Sequence, residues 1–291
     1  MPAARAGDLE PVTATLDAVL AKAETENFPV ALRLLPARTR RQLLALYGYA
    51  RFVDDLGDLA PGDRLAQLDW AESELDLALE GRAAHPVFVT AGEMARRCGA
   101  SRQPFADLIA ANRQDQLVTR YGTFEELLGY CRLSANPVGR LVLAVFGRSG
   151  PLLEQWSDSI CTGLQLVEHW QDVAEDHAAG RVYLPKEDLD RFAVTEGELA
   201  GTTVSPALRR LLAFETGRAK ALLEGGRPLV AALDGTARLA VAGFLGGGLA
   251  QISAIEAARY DVLARPVKAS KRKVARARVA ELVAAAAGRA A

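Results

Sequence analysis

Two short stretches hold the residues best suited to chemistry. The first is Tyr47-Gly-Tyr-Ala-Arg51-Phe-Val-Asp54-Asp55-Leu-Gly-Asp58. On an α-helix, Asp54 and Asp58 fall one turn apart on one face, with Arg51 and Tyr47 on the same stripe and Asp55 at its flank. Carboxylates this close repel one another unless a cation lies among them. Magnesium is the natural candidate, since it takes one or two carboxylates and fills its shell with phosphate oxygens and water. Arg51 beside them makes sense if a diphosphate bridges the group, because guanidinium matches phosphate oxygens in a bidentate fork.

The second stretch is Gln165-Leu-Val-Glu168-His169-Trp-Gln-Asp172-Val-Ala-Glu175-Asp176. Glu168, Asp172 and Asp176 follow at i, i+4 and i+8, and Gln165 lies on nearly the same face. Leu166, Val167, Trp170 and Val173 fall opposite and should be core. A single acidic stripe is ordinarily a solvated helix surface. Two stripes, each with amide, Tyr or Arg companions, predict facing helices that hold about two or three magnesium ions around one diphosphate. Asp54, Asp58, Glu168, Asp172 and Asp176 would be the ligands, with Asp55 in support. Ions held there would neutralise a leaving diphosphate and let an allylic C–O bond ionise.

Helices must position both stripes, and the chain is rich in helix signals. Apolar periodicity predicts helices over 12–25, 38–59, 64–80, 87–97, 103–117, 124–146, 152–177, 205–223 and 237–263. Gly and Pro punctuate short linkers between them, strand signals are nearly absent, and no internal repeat is found. One all-α bundle with a central apolar cavity is the expected fold. The 291 residues are half hydrophobic and suffice for a sizeable core.

Net charge is −1, from 35 basic and 36 acidic residues, so no nucleic-acid partner is expected. Cys98, Cys131 and Cys161 lie far apart without metal spacing, as in a reduced cytoplasmic protein. The N-terminus lacks the apolar core of a secretion signal. The charge-free run 239–255 carries Gly243, Gly246, Gly247 and Gly248 and reads as a buried core helix rather than a membrane span. The three adjacent glycines imply close packing or room for a ligand. The tail beyond residue 267 is basic and then apolar. It reads as a frayed, solvated helix, the alternative being peripheral contact with anionic lipid at the inner face of the plasma membrane.

The motifs Ala50-Arg51-Phe-Val-Asp54-Asp55-Leu-Gly-Asp58, Gln165-Leu…Asp172-Val-Ala-Glu-Asp176 and Gly180-Arg181-Val-Tyr183-Leu-Pro185 resemble those of the squalene/phytoene synthase family. So do Leu35-Pro36…Arg40…Tyr47 and Tyr130-Cys131…Val138-Gly139. The likeness runs from about residue 26 to 266, leaving 1–25 as an N-terminal segment and 267–291 as a tail. Segments 26–30, 134–140 and 258–263 and the run Trp170-Gln171-Asp172-Val173 resemble the bacterial hopanoid-pathway branch, the hydroxysqualene synthases.

The resemblance implies an isoprenoid-synthase-type, single-domain helical bundle. It also implies conversion of presqualene diphosphate to hydroxysqualene, with magnesium and without NADPH. No nucleotide-binding glycine fingerprint is present. Three positions depart from the family pattern. Glu168 replaces an Asn, Gln171 replaces an Arg, and Leu133 replaces a Tyr linked to the first, condensing half-reaction. Leu133 suits an enzyme that performs only the rearrangement. The alternatives are a head-to-head prenyl transferase making presqualene diphosphate or phytoene, and an inactive scaffold of the same fold.

Motif placement makes Arg40, Arg51 and Arg181 diphosphate clamps rather than ordinary surface arginines. Tyr47 and Tyr183 either bond phosphate or pack as half-buried phenols. Phe28, Phe146 and Phe244, with Val138, Gly139 and Gln165, either line a prenyl tunnel or serve as core. Pro137 and Gly139 predict a kink in the helix over 124–146. His169 is either a base for the water that captures the product cation or a helix-surface group.

Overall fold

The computed structural model describes residues 35–287, and its regular elements are all helices apart from an isolated parallel bridge between Arg120 and Val182. The all-α class is therefore as expected. Phe28, the helix over 12–25 and segment 26–30 lie outside the described residues. Contacts cluster into two compact units, Met1–Leu117 and Val118–Ala291.

In the first unit, α1 (Ala37–Asp58) packs against α2 (Arg64–Leu79), α3 (Pro86–Cys98) and α4 (Arg102–Asp115). Asp63 caps α2 by accepting the Ala66 N–H at 3.0 Å, Pro86 opens α3, and Gly99 closes it at φ 66. An aromatic knot fixes the inner face of α1. Tyr49 meets Phe88 and Phe105 edge-on at 5.6 and 5.1 Å and donates its hydroxyl to the Phe105 carbonyl at 2.9 Å. Phe52 adds a third edge-on contact to Phe88 at 5.9 Å. With Tyr49 and Phe52 anchored, helical geometry places Tyr47, Arg51, Asp54 and Asp58 on other faces of the same helix. At Gly92 on α3, an added Cβ would lie 2.2 Å from the Ala78 carbonyl oxygen of α2, so α2 and α3 touch backbone to side.

The second unit is built from α5 (Phe124–Ser134), α6 (Asn136–Val145), α7 (Pro151–Gln171), α8 (Val173–Ala178), α9 (Lys186–Arg191), α10 (Glu196–Leu199), α11 (Pro206–Gly225), α12 (Arg227–Ala232), α13 (Gly235–Ala257) and α14 (Lys271–Ala287). The helix expected over 124–146 is two helices meeting at Ala135. Pro137 lacks the N–H that would continue α5 and instead sits in the first turn of α6. The helix expected over 152–177 divides at Asp172. The one expected to reach 263 stops at Ala257, where Arg259 and Tyr260 turn to positive φ.

Leu166, Val167, Trp170 and Val173 are buried as expected. Burial of large side chains of this kind contributes about 1.5–3 kcal/mol each. The tail is not frayed. α14 packs along α13, and a Cβ on Gly246 would fall 2.6 Å from the Arg278 nitrogen. Buried Glu281 on α14 pairs with Arg227 through bonds of 3.1 and 3.2 Å. The adjacent glycines therefore divide in role. Gly246 admits α14, Gly248 admits Leu164 and Leu223, and Gly247 has nothing within 4 Å. By length and composition α13 could cross a membrane, but 56% of its most apolar window is buried, as in a core helix.

Three thiols are free. Burial pushes Cys131 and Cys161 up to about 12 and moves Cys98 in the same direction.

A buried ionic cluster ties α9 to α11. Arg218 bonds Asp188 at 2.5 Å and Glu215 at 3.2 Å, so one cation serves two buried carboxylates. Burial pushes Glu215 up to about 8, with Arg218 opposing and Asp188 reinforcing the rise. In the folded chain Glu215 thus keeps its proton at pH values where the unfolded chain has lost it. Its ionisation therefore removes stability as pH rises from about 4.5 to about 8. Glu215→Gln keeps the shape without the proton. Thermal melts should show the variant more stable than wild type at pH 8 and equal to it near pH 4.5; equal melting at both would reject the assignment.

Candidate active site

The first carboxylate group is organised by α1 and α4. Arg51 Nε lies 3.1 Å from Asp55 Oδ1, and Asp55 is buried while Arg51 stays partly exposed. Asp55 is thereby paired with Arg51 within the same helix. Asp54 and Asp58 are exposed. The Asp54 carboxylate is nonetheless ringed by protein. Burial pushes it up to about 6, Asn112 and Arg51 oppose the rise, and Asp58 and Asp55 add to it.

Asn112 was not legible as a site residue. It is buried on α4, and its Nδ2 donates to Asp54 Oδ1 and to the Leu108 carbonyl, both at 3.1 Å. Gln116, one turn on, donates to the Asn112 and Gly57 carbonyls at 3.1 and 3.0 Å. Gly57 is required for this approach, because a Cβ there would lie 2.2 Å from Asn112 Oδ1. The available signal was an amide pair at i, i+4 on the face shared with Leu108 and Phe105.

The second group straddles the α7–α8 junction. Asp172 has φ −102 and ψ 18, so regular helical geometry stops there, but the hydrogen-bond ladder persists. Asp172 N–H donates to Glu168 at 2.9 Å and Asp176 N–H to Asp172 at 2.8 Å. The stripe of Glu168, Asp172 and Asp176 thus survives a local bend. Glu168 is exposed, and Asp172 and Asp176 are half-buried. Burial raises the Asp172 carboxyl, Gln171 opposes this through a 3.2 Å bond, and Asp176 and Glu175 add to the rise.

His169 is buried, not a surface group. It stacks on Tyr183 at 3.7 Å, with Nδ1 3.8 Å from Asp176 and Nε2 3.2 Å from Gln165. Tyr183 is itself buried and stacks with Tyr121 at 5.9 Å. Gly180 takes φ 84, and the Arg181 N–H returns to the Asp176 carbonyl at 2.8 Å, fixing Arg181 beside the motif. Arg40 and Tyr47 are half-buried on α1. Val138, Phe146 and Phe244 are also half-buried, while buried Gly139 lets α6 approach Ser157 and Cys161 of α7.

Among the described residues no three His, Cys, Asp or Glu side chains form a ready-made metal cage. The donor set still suits magnesium, which needs only one or two carboxylates when phosphate and water complete its shell. Asp54 and Asp172 are two carboxylates of this set that their surroundings push upward.

The profile of the squalene/phytoene synthase family matches residues 21–273. The chain belongs to that family. The match runs through both compact units, so they form one family domain. A hydroxysqualene synthase of Rhodopseudomonas palustris is 38% identical over 210 residues, covering 71% of this chain and 70% of that protein. A phytoene synthase of Mycobacterium tuberculosis is 31% identical over 268 residues, covering 90% and 88%. The crystal structure of squalene synthase HpnC from Alicyclobacillus acidocaldarius superposes with a TM-score of 0.78 at 37% identity, covering 84% of this chain and 94% of that one. Membership carries the general prenyl-diphosphate chemistry of squalene and phytoene synthases.

Proposed function

We propose that the chain converts presqualene diphosphate to hydroxysqualene, with release of diphosphate. The observation that carries this reading is Leu133. It lies in α5 just past buried Tyr130, at the position where family members that join two prenyl chains often carry a tyrosine. The 38% identity to a hydroxysqualene synthase supports it.

In this reading Asp54 and Asp58 on the first stripe, and Glu168, Asp172 and Asp176 on the second, would hold magnesium, which when bound would neutralise the departing diphosphate. Arg40, Arg51 and Arg181 clamp the diphosphate oxygens, with Tyr47 as a further donor. The C–O bond breaks and diphosphate leaves with the electron pair. The cyclopropyl cation rearranges against an apolar lining to which Val138, Gly139, Phe146 and Phe244 contribute. Water then adds to the cation and loses a proton to solvent. His169 positions Gln165 through its 3.2 Å contact, with Asp176 lying 3.8 Å from the other ring nitrogen. Water is excluded elsewhere by the apolar lining. No nicotinamide cofactor enters this sequence. In this reading the protein works in the cytoplasm and touches a membrane only peripherally.

Purified protein incubated with presqualene diphosphate and magnesium should yield hydroxysqualene by mass spectrometry. Unchanged substrate would reject the reading. The second reading is head-to-head condensation, favoured by the phytoene synthase match over 90% of the chain. Conversion of two farnesyl or geranylgeranyl diphosphates would select it.

A further inference from the structure

The segment joining α13 to α14 reaches back to the second carboxylate motif. Arg259 and Tyr260, at φ 54 and 58, reverse the chain after α13. The returning backbone passes Gln251. Gln251 Nε2 donates to the Val267 carbonyl and to Gln171 Oε1, both at 2.5 Å, and its Oε1 accepts the Ala269 N–H at 2.8 Å. Gln171 Nε2 then donates to Asp172 Oδ1 at 3.2 Å. A continuous run of amide hydrogen bonds thus joins the entry of α14 to the carboxylate of Asp172.

The amide at position 171 closes this run by accepting and donating at once. It must accept from Gln251 and donate to Asp172, and an arginine has donors alone. The departure at Gln171 and the presence of Gln251 in the charge-free stretch of α13 are therefore two halves of one device. α14 is seated independently by Gly246 and by the Arg227–Glu281 pair.

We propose that Gln251 and Gln171 form a positioning relay through which the docked C-terminal helix orients Asp172 toward its magnesium–diphosphate ligand. This rests on the reading of Asp172 as a ligand. Neither glutamine touches the reacting atoms. Each acts through Asp172, by fixing which lone pairs of its carboxylate remain available.

The test is calorimetric titration of inorganic diphosphate at varied magnesium, which needs no turnover. Gln251→Leu and Gln171→Leu should each raise the magnesium concentration for half-maximal diphosphate binding by about 10-fold, the scale of losing one hydrogen bond to a charged group. The double variant should show the same rise, because both changes break one relay. Gln251→Glu keeps the acceptor for Ala269 but loses the donor to Gln171, so it too should raise the magnesium requirement. Unchanged magnesium requirement in the single variants would overturn the relay, whatever their melting temperatures. Effects that multiply to about 100-fold in the double variant would also overturn it, by showing independent contributions. Wild-type protein without magnesium-coupled diphosphate binding would instead remove the ligand role of Asp172, and the relay with it.

Discussion

Asp172→Asn and Asp54→Asn should each lower turnover by at least ~100-fold, the scale of losing one group that stabilises charge in the transition state. The substitution is isosteric, and in both cases the local hydrogen bond can survive. Gln171 Nε2 would still donate to the side-chain oxygen at 172, and Asn112 Nδ2 to that at 54. What disappears is the negative charge in a crowded site, where each carboxylate already resists ionisation unless a cation compensates it. Steady-state rates with prenyl diphosphate at saturating magnesium, alongside circular dichroism to confirm the fold, provide the measurement. Near-normal rates in both variants would defeat the assignment of these stripes to metal-assisted ionisation.

Gly92→Val should cost far more stability than its exposure-free, apolar surroundings suggest. The new Cβ would fall 2.2 Å from the Ala78 carbonyl oxygen and 2.7 Å from its carbon, both backbone atoms that no rotamer change can move. Overpacking of this kind costs about 1–3 kcal/mol, a large share of the roughly 5–15 kcal/mol that holds a typical domain together. Arg96 also bonds that same carbonyl, so shifting α3 away from α2 breaks a second contact. The displaced α3 carries Phe88, which steadies Tyr49 and Phe52 on α1. Urea denaturation should show a lower midpoint, and an unchanged midpoint would mean that α2 and α3 do not approach as described.

The helices and both acidic stripes were legible because apolar periodicity and i, i+4 spacing are local properties of the chain. The boundaries failed where a single residue changes the backbone. Pro137 starts α6 rather than merely kinking a longer helix, Asp172 ends α7, and the left-handed pair Arg259 and Tyr260 ends α13 early. Asn112 and Gln251 were missed for a different reason. Each acts on a partner distant in sequence, at separations of 58 and 80 residues, and no periodicity encodes such a pairing. Gln251 did leave a trace as an amide in the charge-free stretch of α13. The tail was misjudged because its basic residues suggest solvent, whereas its docking depends on a glycine three turns back along another helix.

The raised thiols give the folded chain an unexpected chemical quiet. With Cys131 and Cys161 pushed up to about 12, almost none of either is thiolate at neutral pH, and Cys98 shifts the same way. Of the three, Cys131 is the buried one, so its alkylation becomes a tally of molecules that have opened, while Cys98 and Cys161 keep some access to solvent.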